Sequence, residues 1–389
     1  MSKKILVIAG EHSGDMRAAE VIAAVNQREP NTQWFGIGGP RMRQQGAETR
    51  HDVDEMAVMG IGEVLRRYGF FRQTLEEMVA WAEENKPDLA LFIDYPGFNL
   101  RLAKRIHALG IKTVYYICPQ VWAWHRGRIP KMAQYLDHML SIFPFEAEHF
   151  KNTALPVTYV GHPLLESIEA SSGLPEYRLP WNAIHRVAIL PGSRKQEIAR
   201  LLPVMLEAGH KLQDQVQDCG FLVAAAGQQQ VEQIQSVIQK IPHSPKKLTI
   251  IEGHTRDIVA QADAAMVCSG TATVETALLK CPMAVCYRAH PITYFLIRPF
   301  IRVPNIGMVN IIAEKEICPE LIQGKCTPRK LAETMEKLIH PSTDRLDMLN
   351  DLQQVRARMG NGGAAKNAAD VIVDMLGIQQ TQQLDYDWS

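Results

Sequence analysis

Short apolar runs and longer amphipathic stretches alternate along most of the chain. Lys4-Ile5-Leu6-Val7-Ile8-Ala9 is apolar after its first residue and predicts a buried strand. Residues 15–28 follow with Ala18, Val21, Ile22 and Val25 on one face, the spacing of a helix. Trp34-Phe35-Gly36-Ile37 predicts a second strand. Residues 75–85 predict a helix stopped by Lys86-Pro87, then come a strand at 89–93 and a helix at 100–109 that ends at Gly110. Strands at 113–117, 139–143 and 158–160 complete a first series.

Residues 170–185 break this pattern, because Ser171-Ser172-Gly173-Leu174-Pro175 and Leu179-Pro180 are rich in turn formers. The alternation restarts at Val187-Ala188-Ile189-Leu190. A long helix over 196–216 follows, then strands at 221–226, 248–251, 264–268 and 283–287 with helices between them. The remainder predicts helices alone, at 328–339, 344–359 and 364–376. Continuous apolar strands separated by helices imply parallel sheets covered on both faces. The expected fold is therefore α/β, with two Rossmann-like domains: residues 1–170, residues 171–343, and a helical C-terminus over 344–389. Ligands of such sheets bind beyond the carboxyl ends of the strands, and two facing domains would gather both sets of ends around one cleft.

Composition narrows the function classes. With 42 Lys+Arg against 42 Asp+Glu, the chain lacks the overall basic footprint of a nucleic-acid binder. At 46% hydrophobic and 22% charged it is ordinary for a globular protein. No apolar run reaches the ~18 residues of a membrane span, and the first run is too short for a secretory signal, so a cytoplasmic protein is expected. The seven cysteines form no Cys-x-x-Cys pair, and several sit inside apolar strands. Buried thiols are expected, with no zinc site and no disulfide framework.

Candidate chemistry gathers where strands end. Gly10-Glu11-His12-Ser13-Gly14-Asp15 leaves the first strand and enters a helix; its amides suit an anion, and Ser13 or Asp15 equally suits a helix cap. Asp94 directly follows the 89–93 strand. It reads either as a general base with a raised pKa or as a loop carboxylate serving backbone amides. Cys118-Pro119-Gln120-Val121-Trp122-Ala123-Trp124 offers two indoles, for core packing or for stacking on a sugar. His162, in Gly161-His162-Pro163, reads as structural or as a phosphate or catalytic group.

In the second half, Pro191-Gly192-Ser193-Arg194 presents a forked donor suited to a diphosphate. Ser269-Gly270-Thr271-Ala272-Thr273-Val274-Glu275 offers hydroxyls and amides for a phosphate, and in Glu275 a carboxylate able to take both hydroxyls of a ribose. Each loop also reads as a plain helix cap. Together they favour a nucleoside diphosphate. Residues 56–71 are apolar beside Arg66, Arg67 and Arg72, which suits either an anionic lipid surface or a core helix with a basic edge.

In order and spacing these loops, with Ala57-Val58-Met59-Gly60 and Asp94-Tyr95-Pro96-Gly97-Phe98-Asn99, resemble the lipid-A-disaccharide synthase family over essentially the whole chain. The resemblance implies the GT-B glycosyltransferase architecture, with the C-terminal helices returning to the first domain or exchanging with a second subunit of a homodimer. It implies transfer from UDP-2,3-diacylglucosamine to 2,3-diacylglucosamine 1-phosphate (lipid X), giving a β(1→6) disaccharide 1-phosphate and UDP. The donor is α-linked, so the reaction is a single inverting displacement. Asp94 then looks like the base, Arg194 the diphosphate ligand and Glu275 the ribose ligand. Ser13, Gly14, Asp15, Asn99, Gln120, Trp122 and His162 fall in matching substrate segments, as do Gly192, Ser193, Ser269, Gly270 and Thr271. Asn310, Glu320 and Gln323 look like the remaining donor-side segment, where the usual Leu-Pro-Asn reads Met308-Val309-Asn310. His12 departs from the small residue common at its position.

No Asp-x-Asp motif stands between the domains, and neither a divalent ion nor a cofactor is expected. Acylated substrates imply peripheral contact with the inner-membrane phospholipid surface, through Ile61, Val64, Leu65, Phe70 and Phe71. The competing expectations are another UDP-sugar enzyme of the same architecture, such as a peptidoglycan glycosyltransferase or a UDP-N-acetylglucosamine 2-epimerase, and a non-catalytic nucleotide-sugar-binding protein.

Overall fold

A computed structural model describes residues 2–57, 66–124, 126–171, 177–290, 294 and 303–377. Contacts divide the chain into two units, Met1–Glu166 with Asn361–Ser389, and Ser167–Gly360.

The first unit carries a parallel sheet of seven strands: β1 (Lys4–Ala9), β2 (Gln33–Ile37), β3 (Glu48–His51), β4 (Leu89–Ile93), β5 (Lys112–Tyr116), β6 (His138–Ser141) and β7 (Val157–Tyr159). Their order is β3-β2-β1-β4-β5-β6-β7. Ile5 to Ala9 and Leu89 to Ile93 are fully buried, as continuous apolar strands covered on both faces must be. The order reverses between β1 and β4, which pair in register with Ala9 opposite Ile93. Chains leave these two strands in opposite directions, so their carboxyl ends border an open crevice.

The second unit repeats the plan with six parallel strands: β8 (His185–Leu190), β9 (Cys219–Ala225), β10 (Leu248–Glu252), β11 (Ala264–Cys268), β12 (Met283–Tyr287) and β13 (Glu320–Ile322). Their order is β10-β9-β8-β11-β12-β13. Here the reversal falls between β8 and β11, where Leu190 lies opposite Val267.

The predicted α/β class and most predicted elements are present. β3 and β13 have no counterpart in the apolar pattern, because both are short edge strands; Glu-Thr-Arg-His carries no apolar run at all. The first helix starts at His12 rather than at residue 15, and the helix expected over 75–85 is Tyr68–Asn85. The two last helices part company. Thr343–Arg358 packs within the second unit, where Arg358 Nη1 donates to Ile312 O at 3.0 Å. Ala364–Met375 packs on His12–Asn26 in the first unit, with Asn367 Nδ2 donating to Val160 O at 2.9 Å and Arg28 paired to Asp370 at 2.5 Å. All seven cysteines are buried and free. Among the described residues no helix is long and apolar enough to cross a membrane.

Candidate active site

At the first reversal, β1 ends in Gly10 and β4 ends in Asp94. A Cβ on Gly10 would stand 2.3 Å from Cδ1 of Tyr95, so glycine is what lets that ring cross the end of β1. Asp94 and Tyr95 both adopt left-handed backbone, with φ of 43° and 50°. Two consecutive non-glycine residues in this region are strained, and the neighbours hold them there. Asp94 N donates to Tyr116 O at 2.9 Å. The Asp94 carbonyl accepts from Tyr115 Oη at 2.5 Å and from Asn99 Nδ2 at 2.8 Å. Tyr95 Oη donates to Met56 O at 2.8 Å.

These bonds use backbone atoms of Asp94 or the tyrosine hydroxyl, and the carboxylate itself accepts from the backbone amide of Tyr95. Burial, and secondly the negative charge of Glu11, push its pKa up from 3.8 to about 6, against the lowering by that amide. A carboxylate with that pKa holds a proton well enough to accept one in a transition state near neutral pH. Asn99, fully buried, also donates from Nδ2 to Ile93 O at 3.1 Å and fastens the turn, while its Oδ1 is buried without a hydrogen-bond partner among the described residues.

Other expected contacts of this unit are placed differently. Asp15 is 2% exposed, and its carboxylate accepts from Gly39 N at 2.7 Å, Met42 N at 3.0 Å and Arg41 N at 3.0 Å, capping the helix Pro40–Gln44. Trp122 is 1% exposed, so it is a core residue and not a sugar-stacking wall; its Nε1 donates to Glu146 Oε1 at 3.2 Å. Burial raises that glutamate's pKa to about 8. His162 is 3% exposed, its Nδ1 accepts from Leu164 N at 3.1 Å, and burial lowers its pKa to about 3. A neutral imidazole bound this way is a turn lock and not a cationic phosphate ligand. Ser13 and Gln120 are exposed, and Gly14 is buried against Ala9.

At the second reversal, β8 runs into Gly192-Ser193-Arg194. Gly192 has φ +105°, and a Cβ there would meet Glu197 Oε2 at 2.6 Å. Glu197 Oε2 accepts from the amides of Ser193 and Arg194, both at 3.1 Å. Those two amides are therefore taken, and the free donor of the loop is the guanidinium. The Arg194 side chain is 81% exposed and touches Glu197 at only 3.4 Å. From β11 the chain passes through Ser269 and Gly270 into the helix Thr271–Leu278. Ser269 Oγ donates to Ile306 O at 3.0 Å and fixes the loop. Thr271 is exposed at the helix N-terminus, where amides and dipole favour an anion. Glu275 lies one turn on and pairs with Arg256 at 2.7 Å. Arg256 has no local sequence signal; only the fold brings it to Glu275.

Asn310 and Glu320, expected to meet the donor, are occupied by the protein. Asn310 Oδ1 accepts from Ile317 N and Cys318 N, both at 2.9 Å, and its Nδ2 donates to Cys318 O at 2.8 Å and Glu320 Oε1 at 2.9 Å. Glu320 also accepts from Ile306 N at 2.9 Å and Gly307 N at 2.8 Å. The pair clamps the segment leading to β13. Gln323 stands in left-handed backbone (φ 51°) with Nε2 buried and unpaired. Of the apolar patch, Phe70 and Phe71 are half-buried under Arg67, whose guanidinium lies 4.7 and 5.7 Å from the two rings. Ile61, Val64 and Leu65 lie outside the described residues. A cavity of about 800 Å³ lined by Lys330, Glu333, Asp347 and Asp351 touches none of the strand-end loops, and carries none of this chemistry.

A poised carboxylate at one reversal, and an exposed guanidinium with a helix N-terminus at the other, are set in two parallel Rossmann-like sheets. The two-sheet plan is the GT-B class of architecture, a fold shared with a UDP co-structure of Staphylococcus aureus MnaA at a TM-score of 0.68. That likeness covers 97% of this chain and 98% of the other at 12% identity. Within the class the chain belongs to the lipid-A-disaccharide synthetase family, whose model matches residues 5–370. The lipid-A-disaccharide synthase of Myxococcus xanthus is 39% identical over 377 residues, which is 96% of this chain and 97% of that one. That of Syntrophus aciditrophicus is 38% identical over 378 residues, 96% and 98% of the two chains.

Proposed function

We propose that the chain is a glycosyltransferase forming the lipid A disaccharide from UDP-2,3-diacylglucosamine and 2,3-diacylglucosamine 1-phosphate. The family and the full-length relatives support the activity. The observation that carries the mechanism is the poised carboxyl of Asp94, buried at the end of β4 with its pKa near 6.

In this reading the acceptor 6-oxygen attacks the anomeric carbon on the face opposite UDP. One C–O bond forms as the bond to the diphosphate oxygen breaks, so an α-linked donor gives a β product. Asp94 takes the hydroxyl proton. Arg194 and the amides at Thr271 offset the charge growing on the leaving diphosphate, and a preorganised donor there stabilises the transition state more than the ground state. Glu275 takes the ribose, and Ser13 and Gln120, both exposed, stand in the acceptor-side segments. The test is to incubate the purified protein with both acylated sugars and look for the disaccharide 1-phosphate by mass. Wild-type protein forms it, and Asp94→Asn binds UDP but does not. Near-wild-type turnover by Asp94→Asn removes it as the base.

Both substrates carry acyl chains, so the reaction takes place at a phospholipid surface. Phe70 and Phe71 beside Arg66, Arg67 and Arg72 offer the apolar and cationic groups for it. The double substitution Phe70→Ser, Phe71→Ser is expected to reduce sedimentation with anionic vesicles. Unchanged sedimentation overturns the surface reading.

A further inference from the structure

Arg256 has no part in the mechanism above, yet its guanidinium is more fully engaged than most in the second unit. It sits at the second position of the helix Thr255–Gln261, and its Nε donates to Glu275 Oε1 at 2.7 Å. Nη1 donates to the carbonyl of Ser167 at 3.0 Å, and Nη2 donates to Ser167 Oγ at 2.9 Å. Three nitrogens thus bond in three directions to two residues far apart in sequence, which fixes the plane of the group. A guanidinium so held would have to break three hydrogen bonds to swing toward a diphosphate. What it does is immobilise a carboxylate.

Glu275 is the other half of the arrangement. Its side chain is 19% exposed, so it is neither core nor free surface. Only Oε1 is used. Oε2 accepts no hydrogen bond among the described residues, and a carboxylate oxygen has two lone pairs to offer. Glu275 stands one helical turn after Thr271, in the helix that leaves β11 beside the point where the sheet order reverses and where ligands of such sheets bind. A free glutamate there would have to give up rotamer freedom on binding. One already tied through Oε1 gives up little.

We propose that Arg256 is the positioning residue for ribose recognition, holding Glu275 so that Oε2 is presented to the sugar hydroxyls of the nucleoside diphosphate. The inference rests on the reading of Glu275 as the ribose ligand, and the two can fail separately. The competing account is a staple: the ion pair merely joins two helices, and its loss weakens all ligands alike or none.

The affinity ratio between UDP and 2′-deoxy-UDP separates the accounts, since the two probes differ by a single hydroxyl. A hydrogen bond to a charged group corresponds to about a tenfold or larger preference. Isothermal titration of the wild-type protein should show that preference, and Glu275→Gln should reduce it severalfold. Arg256→Gln is expected to reduce it to a similar extent while leaving 2′-deoxy-UDP affinity near its wild-type value. If Glu275→Gln keeps the full preference, the ribose reading fails. If Glu275→Gln loses it and Arg256→Gln keeps it, or if Arg256→Gln weakens both probes equally, the positioning role fails. Should Arg256→Gln not fold, Arg256→Lys and Ser167→Ala remain, since lysine cannot make the three-way fork and the alanine removes one of its anchors. A partial loss of the preference in these variants supports the proposal, and a full preference in both overturns it.

Discussion

The two sheet reversals solve opposite problems with opposite means. At the first, the chemistry-bearing side chain is enclosed. Asp94 stands in strained backbone held by Tyr115, Asn99 and Tyr116, and burial has already raised its pKa to about 6. At the second, Arg194 is 81% exposed and, among the described residues, ion-paired to Glu197 alone. A base must be partly desolvated before the substrate arrives, because its proton affinity is set by its surroundings. A guanidinium is charged whatever its surroundings, so an anion ligand needs no enclosure to be ready for its anion. In the proposed mechanism, rigidity goes with the proton acceptor and exposure with the charge clamp.

Removing Asp94 should therefore have the largest effect in the molecule. Asp94→Asn keeps the size and the backbone bonds but cannot accept the proton, and kcat is expected to fall by roughly 10²–10⁴. UDP affinity should stay within about twofold. An equal fall in UDP affinity would show that the two reversals are not divided in labour. Removing Arg194 should cost less and act differently. Arg194→Ala loses one charge-assisted interaction, about 1.5–3 kcal/mol or roughly 10–150-fold in kcat/KM. Its ion pair is exposed, so thermal stability should scarcely change. A large drop in melting temperature would mean that the arginine serves the fold.

Much of this was legible in the sequence, and the failures share one cause. The position of Asp94 could be read because an acid directly after a fully apolar run must stand at the end of a buried strand. The GT-B plan could be found because those runs come in two series. What an acid or amide does after it reaches the right neighbourhood could not be read. Asp15, Asn310 and Glu320 stand in the expected segments, but backbone amides of Gly39, Met42, Ile317 and Gly307 converge on them and consume their oxygens. Trp122 sits in a strand-end loop yet turns inward to Glu146. Arg256 shows the reverse case: nothing local marks it, since its partners are Ser167 and Glu275. Strand ends are a property of sequence pattern, whereas the direction of a side chain depends on which distant amides the fold delivers.

The smallest predicted effect tests the enclosure of the first reversal most directly. After burial, the charge of Glu11 is the second cause of the raised pKa of Asp94. With Asp94 as the base, kcat/KM should rise with pH up to about pH 6 and level off above it, because only the ionised form accepts a proton. Glu11→Gln removes the neighbouring negative charge while keeping the size of the side chain. The ionised form of Asp94 is then less disfavoured, so its pKa falls and the acid limb of the profile moves to lower pH. Burial is the larger cause and remains, so a shift of only a few tenths of a pH unit is expected; a full unit would correspond to about 1.4 kcal/mol. The variant should thus be relatively more active than wild type below pH 6 and match its shape above. A limb that moves upward, or that stays in place while Asp94→Asn is inactive, would mean that the group titrating in the profile is not Asp94.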